Sequence, residues 1–169
     1  MVKNIIALNG ITGAGKSTIG QKLAQTLDYY FIDSDQEIQD RLGKTINQIF
    51  EEDGEAYFRK IEKELIFEIV SRNEKLIIAL GGGSCMDQEI LNKLKEKATT
   101  IWLKADLETI MQRLKNKTNR PLLNNGDKRK ILLDLIEKRT PIYCQSDMAI
   151  EIDNKEGDKI VQEIINLIK

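Results

Sequence analysis

Histidine is absent from this 169-residue chain, which removes imidazole from any catalytic scheme or metal site. Only two cysteines occur, Cys85 and Cys144, far apart and with no CxxC pair, an arrangement that argues against a zinc centre. Both are expected as reduced thiols partly buried in packing. Long apolar runs are missing too: Ile5 to Leu8 and Leu76 to Leu80 fall far short of the ~20 residues that a membrane helix requires. Met1-Val2-Lys3-Asn4 leads straight into a strand-like run with no space for a cleavable signal, so a cytoplasmic protein is expected. Neither charge dominates. With 26 basic and 27 acidic residues there is no polyanion-binding excess, and neither nucleic acid nor membrane is an expected partner.

What is present is an ordinary globular composition, 41% hydrophobic and 31% charged, consistent with one core and a single domain over residues 1–169. Short apolar runs alternate with longer amphipathic stretches, the pattern of βαβ units. Strands are expected at Lys3 to Asn9, Tyr29 to Asp33, Leu76 to Leu80, Thr99 to Leu103 and Met148 to Ile152. Helices are expected at Lys16 to Leu27, Asp35 to Leu42, Ile46 to Glu52, Gly54 to Asn73, Asp87 to Lys95, Leu107 to Lys117, Asp127 to Gln145 and Asp158 to Ile168. The implied fold class is α/β, a five-stranded parallel sheet with helices on both faces. Right-handed crossovers then put the loops that bear chemistry along one sheet edge. The polar stretch Lys115 to Lys130, rich in asparagine around Arg120-Pro121, reads as a mobile flap.

Gly10-Ile11-Thr12-Gly13-Ala14-Gly15-Lys16-Ser17 matches GxxxxGK[ST] between an apolar strand and an amphipathic helix, the context that gives the motif its meaning. In such a loop successive N–H groups wrap phosphate oxygens, and the following helix aims its positive end at the same anion. Lys16 can reach the β- and γ-phosphates, and the Ser17 hydroxyl is suited to Mg²⁺. ATP is the expected nucleotide: Asn116-Lys117-Thr118-Asn119 only approaches a guanine-reading motif, with Asn in place of the carboxylate.

On the acceptor side, Asp33 and Asp35 close the second strand at the same edge, and residues two apart in extended chain share a face. Phosphoryl transfer needs one acid near Mg²⁺ and one to orient or deprotonate the acceptor hydroxyl; Asp33 suits the first role, through water, and Asp35 the second. Capping of the next helix by Ser34 or Asp35 is the plain alternative. Gly81-Gly82-Gly83 bring bare backbone to the ligand edge. Arg59 and Arg139 offer planar forks for a carboxylate, with Phe50 and Phe58 available as an apolar wall or as core. Acceptors such as gluconate or a nucleoside monophosphate, and a regulatory nucleotide-binding module without turnover, stay open on these residues alone.

The ordered set Gly13-Ala14-Gly15-Lys16-Ser17-Thr18, Asp33-Ser34-Asp35, Phe58-Arg59, Gly81-Gly82-Gly83-Ser84, Arg120-Pro121-Leu122-Leu123 and Arg139-Thr140-Pro141-Ile142-Tyr143 resembles the shikimate kinase family over essentially the whole chain. The resemblance implies a P-loop kinase fold, transfer of the ATP γ-phosphoryl group to the 3-hydroxyl of shikimate, and a place in aromatic amino-acid biosynthesis. It implies ATP contacts from Gly13 to Thr18 and from Arg113 near adenine, with Lys16, Asp35 and Arg120 catalytic and Arg120 carried on a lid. Asp35, Arg59, Gly81, Gly82 and Arg139 would hold shikimate, Ser17 and Asp33 would serve Mg²⁺, and the protein would be a monomer. The loop departs from the family at Thr12, where a larger apolar residue or proline is usual, close to the acceptor pocket.

Overall fold

The computed structural model describes residues 2–115 and 126–169. Five strands, β1 (Ile5–Asn9), β2 (Tyr30–Asp33), β3 (Leu76–Ala79), β4 (Ala98–Lys104) and β5 (Met148–Glu151), form one parallel sheet in the order β2-β3-β1-β4-β5. The helices are α1 (Lys16–Leu27), α2 (Ser34–Leu42), α3 (Ile46–Glu52), α4 (Glu55–Ser71), α5 (Gln88–Lys97), α6 (Leu107–Leu114), α7 (Lys128–Tyr143) and α8 (Gly157–Ile168). A single 3₁₀ turn at Ser84–Met86, which the sequence reading did not anticipate, follows the glycine run.

The central strand explains the layering. Every residue of β1 is buried, so its sequence is apolar throughout rather than alternating. Alternate side chains nevertheless serve different cores. Ile6 and Leu8 join Ile19 and Leu23 of α1 and Ile160 and Ile164 of α8 on one face; Ile5 and Ala7 join Ile66 and Ile69 of α4 and Leu94 of α5 on the other. Each fully buried Ile or Leu contributes about 1.5–3 kcal/mol by leaving water.

That order also places the ligand edge. Chain leaves β1 toward β2 on one side, while β4 lies on the other, so the loop after β1 opens at the crevice where strand order reverses. The loops after β2 and β3 reach the same edge.

Local capping corrects several expected boundaries. Asp33 caps α2 by accepting from the Gln36 N–H at 3.0 Å, so the cap is neither Ser34 nor Asp35 and the helix starts one residue early. Gly54, at φ 87°, delays α4 to Glu55. Asp127 caps α7 through the N–H groups of Arg129 and Lys130, so residues 128–130 are helix rather than flap. Residues 116–125, including Arg120 and the Asn116 to Asn119 segment, lie outside the described residues, as do the last two expected residues of α6. Cys85 is buried as expected, whereas Cys144 is exposed because it sits just past the end of α7. Among the described residues no helix is long and apolar enough to cross a membrane.

Candidate active site

The loop from Gly10 to Ser17 wraps back onto itself, with the Ala14 N–H donating to the Ile11 carbonyl at 3.1 Å. Gly15 stands at φ 87° immediately before α1, a left-handed conformation costly for a residue with Cβ. No side chain caps α1, so its first N–H groups face the loop's concavity. Lys16 is 9% exposed and folds over the loop, donating from Nζ to the carbonyls of Gly10 (2.7 Å) and Ile11 (3.1 Å). The exposed Arg113 donates to the Ala14 carbonyl at 3.1 Å, so α6 braces the loop from outside. Thr18 is exposed on the first turn of α1.

A cavity of about 540 Å³ opens beside this loop and is lined by Lys16, Ser17, Asp33, Asp35, Gly81 and Gly82 among others. The two acids therefore share a cleft as expected, although by a different geometry. Asp35 already lies in the first turn of α2, so the two-residue repeat of extended chain does not apply to it. Asp33 divides its carboxylate: Oδ1 caps α2, and Oδ2 accepts from the Ser17 hydroxyl. A hydroxyl and a carboxylate already in contact are hard oxygen donors, a set that fits Mg²⁺ completed by phosphate and water oxygens. Among the described residues no cluster of three acidic, histidine or cysteine ligands exists.

The three glycines after β3 have a reason that the sequence did not disclose, namely that each is pressed by a different side chain. A Cβ on Gly81 would lie 2.8 Å from Asp35 Oδ1, 3.0 Å from Glu62 Oε2 and 3.1 Å from Ser84 Oγ. One on Gly82 would meet an Arg139 guanidinium nitrogen at 3.0 Å and the Thr12 backbone nitrogen at 3.3 Å. One on Gly83 would meet Arg59 at 2.7 Å. Bare backbone thus lets α2, α4 and α7 converge on one loop. Ser34, fully buried, anchors it by accepting from the Gly81 N–H at 3.1 Å.

Both arginines lie against the glycine loop, Arg59 half-buried and Arg139 buried, although neither lines the cavity. Arg139 is 7% exposed, a buried cation against Gly82. Arg59 stacks beside the Phe58 ring, 5.2 Å from its centroid, and bonds to Glu62 at 3.0 Å. Phe58 belongs to the core, with Phe50 packed against it at a ring separation of 5.1 Å. Thr12 lines the cavity, and its buried hydroxyl oxygen has no hydrogen-bond partner among the described residues.

Glu62 was missed by sequence reasoning. It is 1% exposed, accepts from Ser84 Oγ at 2.9 Å, and has its pKa raised mainly by burial, with Arg59 opposing the shift and Asp35 adding to it. The available signal was its position: Phe58, Glu62, Leu65, Ile66 and Ile69 form one helical stripe in which only Glu62 is charged. Tyr143 and Asn9 are also buried at this edge. Asn9 donates to Ser146 Oγ at 2.9 Å and approaches Cys85 Sγ at 3.8 Å, while burial pushes the Cys85 thiol up to about 11, where it stays protonated.

Comparison with known proteins agrees with this geometry. The family model described as shikimate kinase matches residues 12–169. The chain is 43% identical over 164 residues to a shikimate kinase of Persephonella marina, covering 97% of this chain and 98% of that protein. It is 38% identical to one from Chlorobaculum tepidum, covering 98% and 91%. The solved shikimate kinase of Acinetobacter baumannii in complex with shikimate is 36% identical, with a TM-score of 0.95 and coverage of 99% and 93%. A gluconokinase from Sinorhizobium meliloti, 19% identical with a TM-score of 0.61 and coverage of 95% and 89%, shares the fold alone. With a nucleotide loop, a paired-acid cleft and two arginines against one glycine loop at the same sheet edge, this chain belongs to the shikimate kinase family of ATP-dependent kinases.

Proposed function

We propose that this protein transfers the γ-phosphoryl group of ATP to the 3-hydroxyl of shikimate, giving shikimate 3-phosphate and ADP in aromatic amino-acid biosynthesis. The observation that carries the reading is the convergence of Asp35, Arg59 and Arg139 on Gly81 to Gly83, beside the cavity that Lys16 also lines.

In this reading the backbone from Gly13 to Thr18 cradles the phosphates, and Lys16 exchanges its loop carbonyls for the β- and γ-phosphate oxygens. Arg59 and Arg139 grip the shikimate carboxylate, while Gly81 and Gly82 approach the ring through bare backbone. Asp35 orients the 3-hydroxyl and accepts its proton as the oxygen attacks the γ-phosphorus and ADP departs. Ser17 and Asp33, the latter through water, hold Mg²⁺, which draws charge from the phosphates when bound. Arg113, already against the loop at Ala14, lies toward adenine, and Arg120, which is outside the described residues, offsets charge at the transferring group. Action as a monomer is what the family resemblance suggests, and ATP as co-substrate accords with the cytoplasm.

The test is a coupled assay of ADP release from Mg-ATP with shikimate, gluconate or no acceptor. Shikimate alone is expected to stimulate turnover, and Asp35→Asn to lower kcat by about 10³ or more while ATP still binds. Pure protein that releases no additional ADP with shikimate overturns the proposal.

A further inference from the structure

Tyr143 is 2% exposed, its ring lies 6.0 Å from that of Trp102, and its hydroxyl donates to the Gly82 carbonyl. It sits four residues after Arg139 on α7, so one turn of helix supplies both the cation against Gly82 and the hydroxyl that holds the same residue's carbonyl. A peptide unit is planar, and in the trans form its C=O and N–H point in opposite directions. Fixing the Gly82 carbonyl toward Tyr143 therefore fixes the Gly83 N–H away from it, on a residue that touches Arg59. Among the described residues the N–H groups of Gly82 and Gly83 donate to no protein acceptor, whereas that of Gly81 is held by Ser34. The carbonyls of Gly81 and Gly83 accept from the Ser84 and Met86 N–H groups, both at 3.1 Å, so the Gly82–Gly83 peptide is the one whose orientation is left to a side chain.

We infer that Tyr143 is a positioning residue for the acceptor site: its hydroxyl locks the Gly82–Gly83 peptide so that the Gly83 N–H and the two arginines present one preformed set of donors to the acid substrate. This rests on shikimate as the acceptor. Burial pushes the Tyr143 hydroxyl well above the ordinary tyrosine range, so it remains a donor throughout the neutral and mildly alkaline range. The ring's packing against Trp102 holds the hydroxyl in place.

The deciding comparison is steady-state kinetics of the full chain as wild type, Tyr143→Phe and Trp102→Leu. Tyr143→Phe keeps the ring and its stack while deleting one donor. The expected result is a rise of about tenfold in the KM for shikimate, with kcat changed by less than about threefold and the KM for ATP unchanged. Trp102→Leu, which loosens packing but leaves the hydroxyl, is expected to lower the melting temperature more than Tyr143→Phe and to raise the shikimate KM less. Equal shikimate KM values for wild type and Tyr143→Phe overturn the inference while leaving the reaction intact. A Trp102→Leu variant that reproduces the whole KM effect overturns it as well, since ring packing would then suffice. Wild-type protein without shikimate-dependent turnover overturns both the inference and the function beneath it.

Discussion

Arg59 bonds to Glu62 at 3.0 Å, so a cation of the proposed acceptor site is held by a carboxylate buried on the core face of the same helix. A guanidinium aimed by a buried acid is pre-oriented, and less freedom is lost when it binds a substrate carboxylate. The arrangement also brings Glu62 near Asp35 through the shared wall at Gly81.

Glu62 should leave a signature in the pH dependence of stability. Its folded pKa is raised above the unfolded value, chiefly by burial, so its contribution is fully present below the ordinary glutamate range and is lost as pH climbs through the raised value. Chemical denaturation of wild type and Glu62→Gln across that window is expected to show wild type losing ground relative to the variant as pH rises. At neutral pH Glu62→Ala, which removes the acceptor of the buried Ser84 hydroxyl and leaves Arg59 with Glu55, is expected to cost about 1–3 kcal/mol.

Glu68 behaves in the opposite sense. Hydrogen bonds from Arg41 and Arg72 hold its pKa down to about 2, so its contribution is present above the ordinary carboxylate range and disappears as pH falls toward that value. Arg41 lies on α2 and Glu68 on α4, so the pair ties the helix of Asp35 to the helix of Arg59. The groups are largely exposed, which limits the effect of Glu68→Gln to below about 1 kcal/mol, read as a flatter acid limb in thermal melts.

A side chain at Gly81 displaces its neighbours. Gly81→Ala would drive a methyl against Asp35, Glu62 and Ser84 at once, and overpacking of this kind costs about 1–3 kcal/mol. The expected kinetic result is a fall in kcat/KM for shikimate of about 10² with nucleotide affinity preserved, because the displaced groups are those of the acceptor side. Fluorescent-nucleotide binding beside the coupled assay separates the two.

What the sequence revealed and what it withheld divide along a physical line. The nucleotide loop was legible because its chemistry is local: Gly15, Lys16 and Ser17 act through backbone within one strand-loop-helix unit. Strand positions were legible because Ile5 to Leu8 and Leu76 to Ala79 are buried on both sides and read as apolar runs. The acceptor side depends on contacts across the chain. Nothing around Glu62 announces that Ser84 lies 22 residues away in sequence and 2.9 Å away in space. Likewise Tyr143 meets Gly82 over a separation of 61 residues, and the crowding that demands three glycines comes from α2, α4 and α7. The capping role of Asp33 was misassigned to its neighbours because Asp33, Ser34 and Asp35 all have side chains able to cap a helix.

The central claim is that Arg59 and Arg139 form the carboxylate seat beside the phosphate loop, and the shikimate KM of Arg59→Ala and Arg139→Ala tests it most directly. Loss of a charge-assisted hydrogen bond predicts a rise of about 10- to 100-fold for each, with the KM for ATP within about twofold of wild type. Unaltered shikimate KM values in both variants, or a loss confined to ATP, would contradict the account.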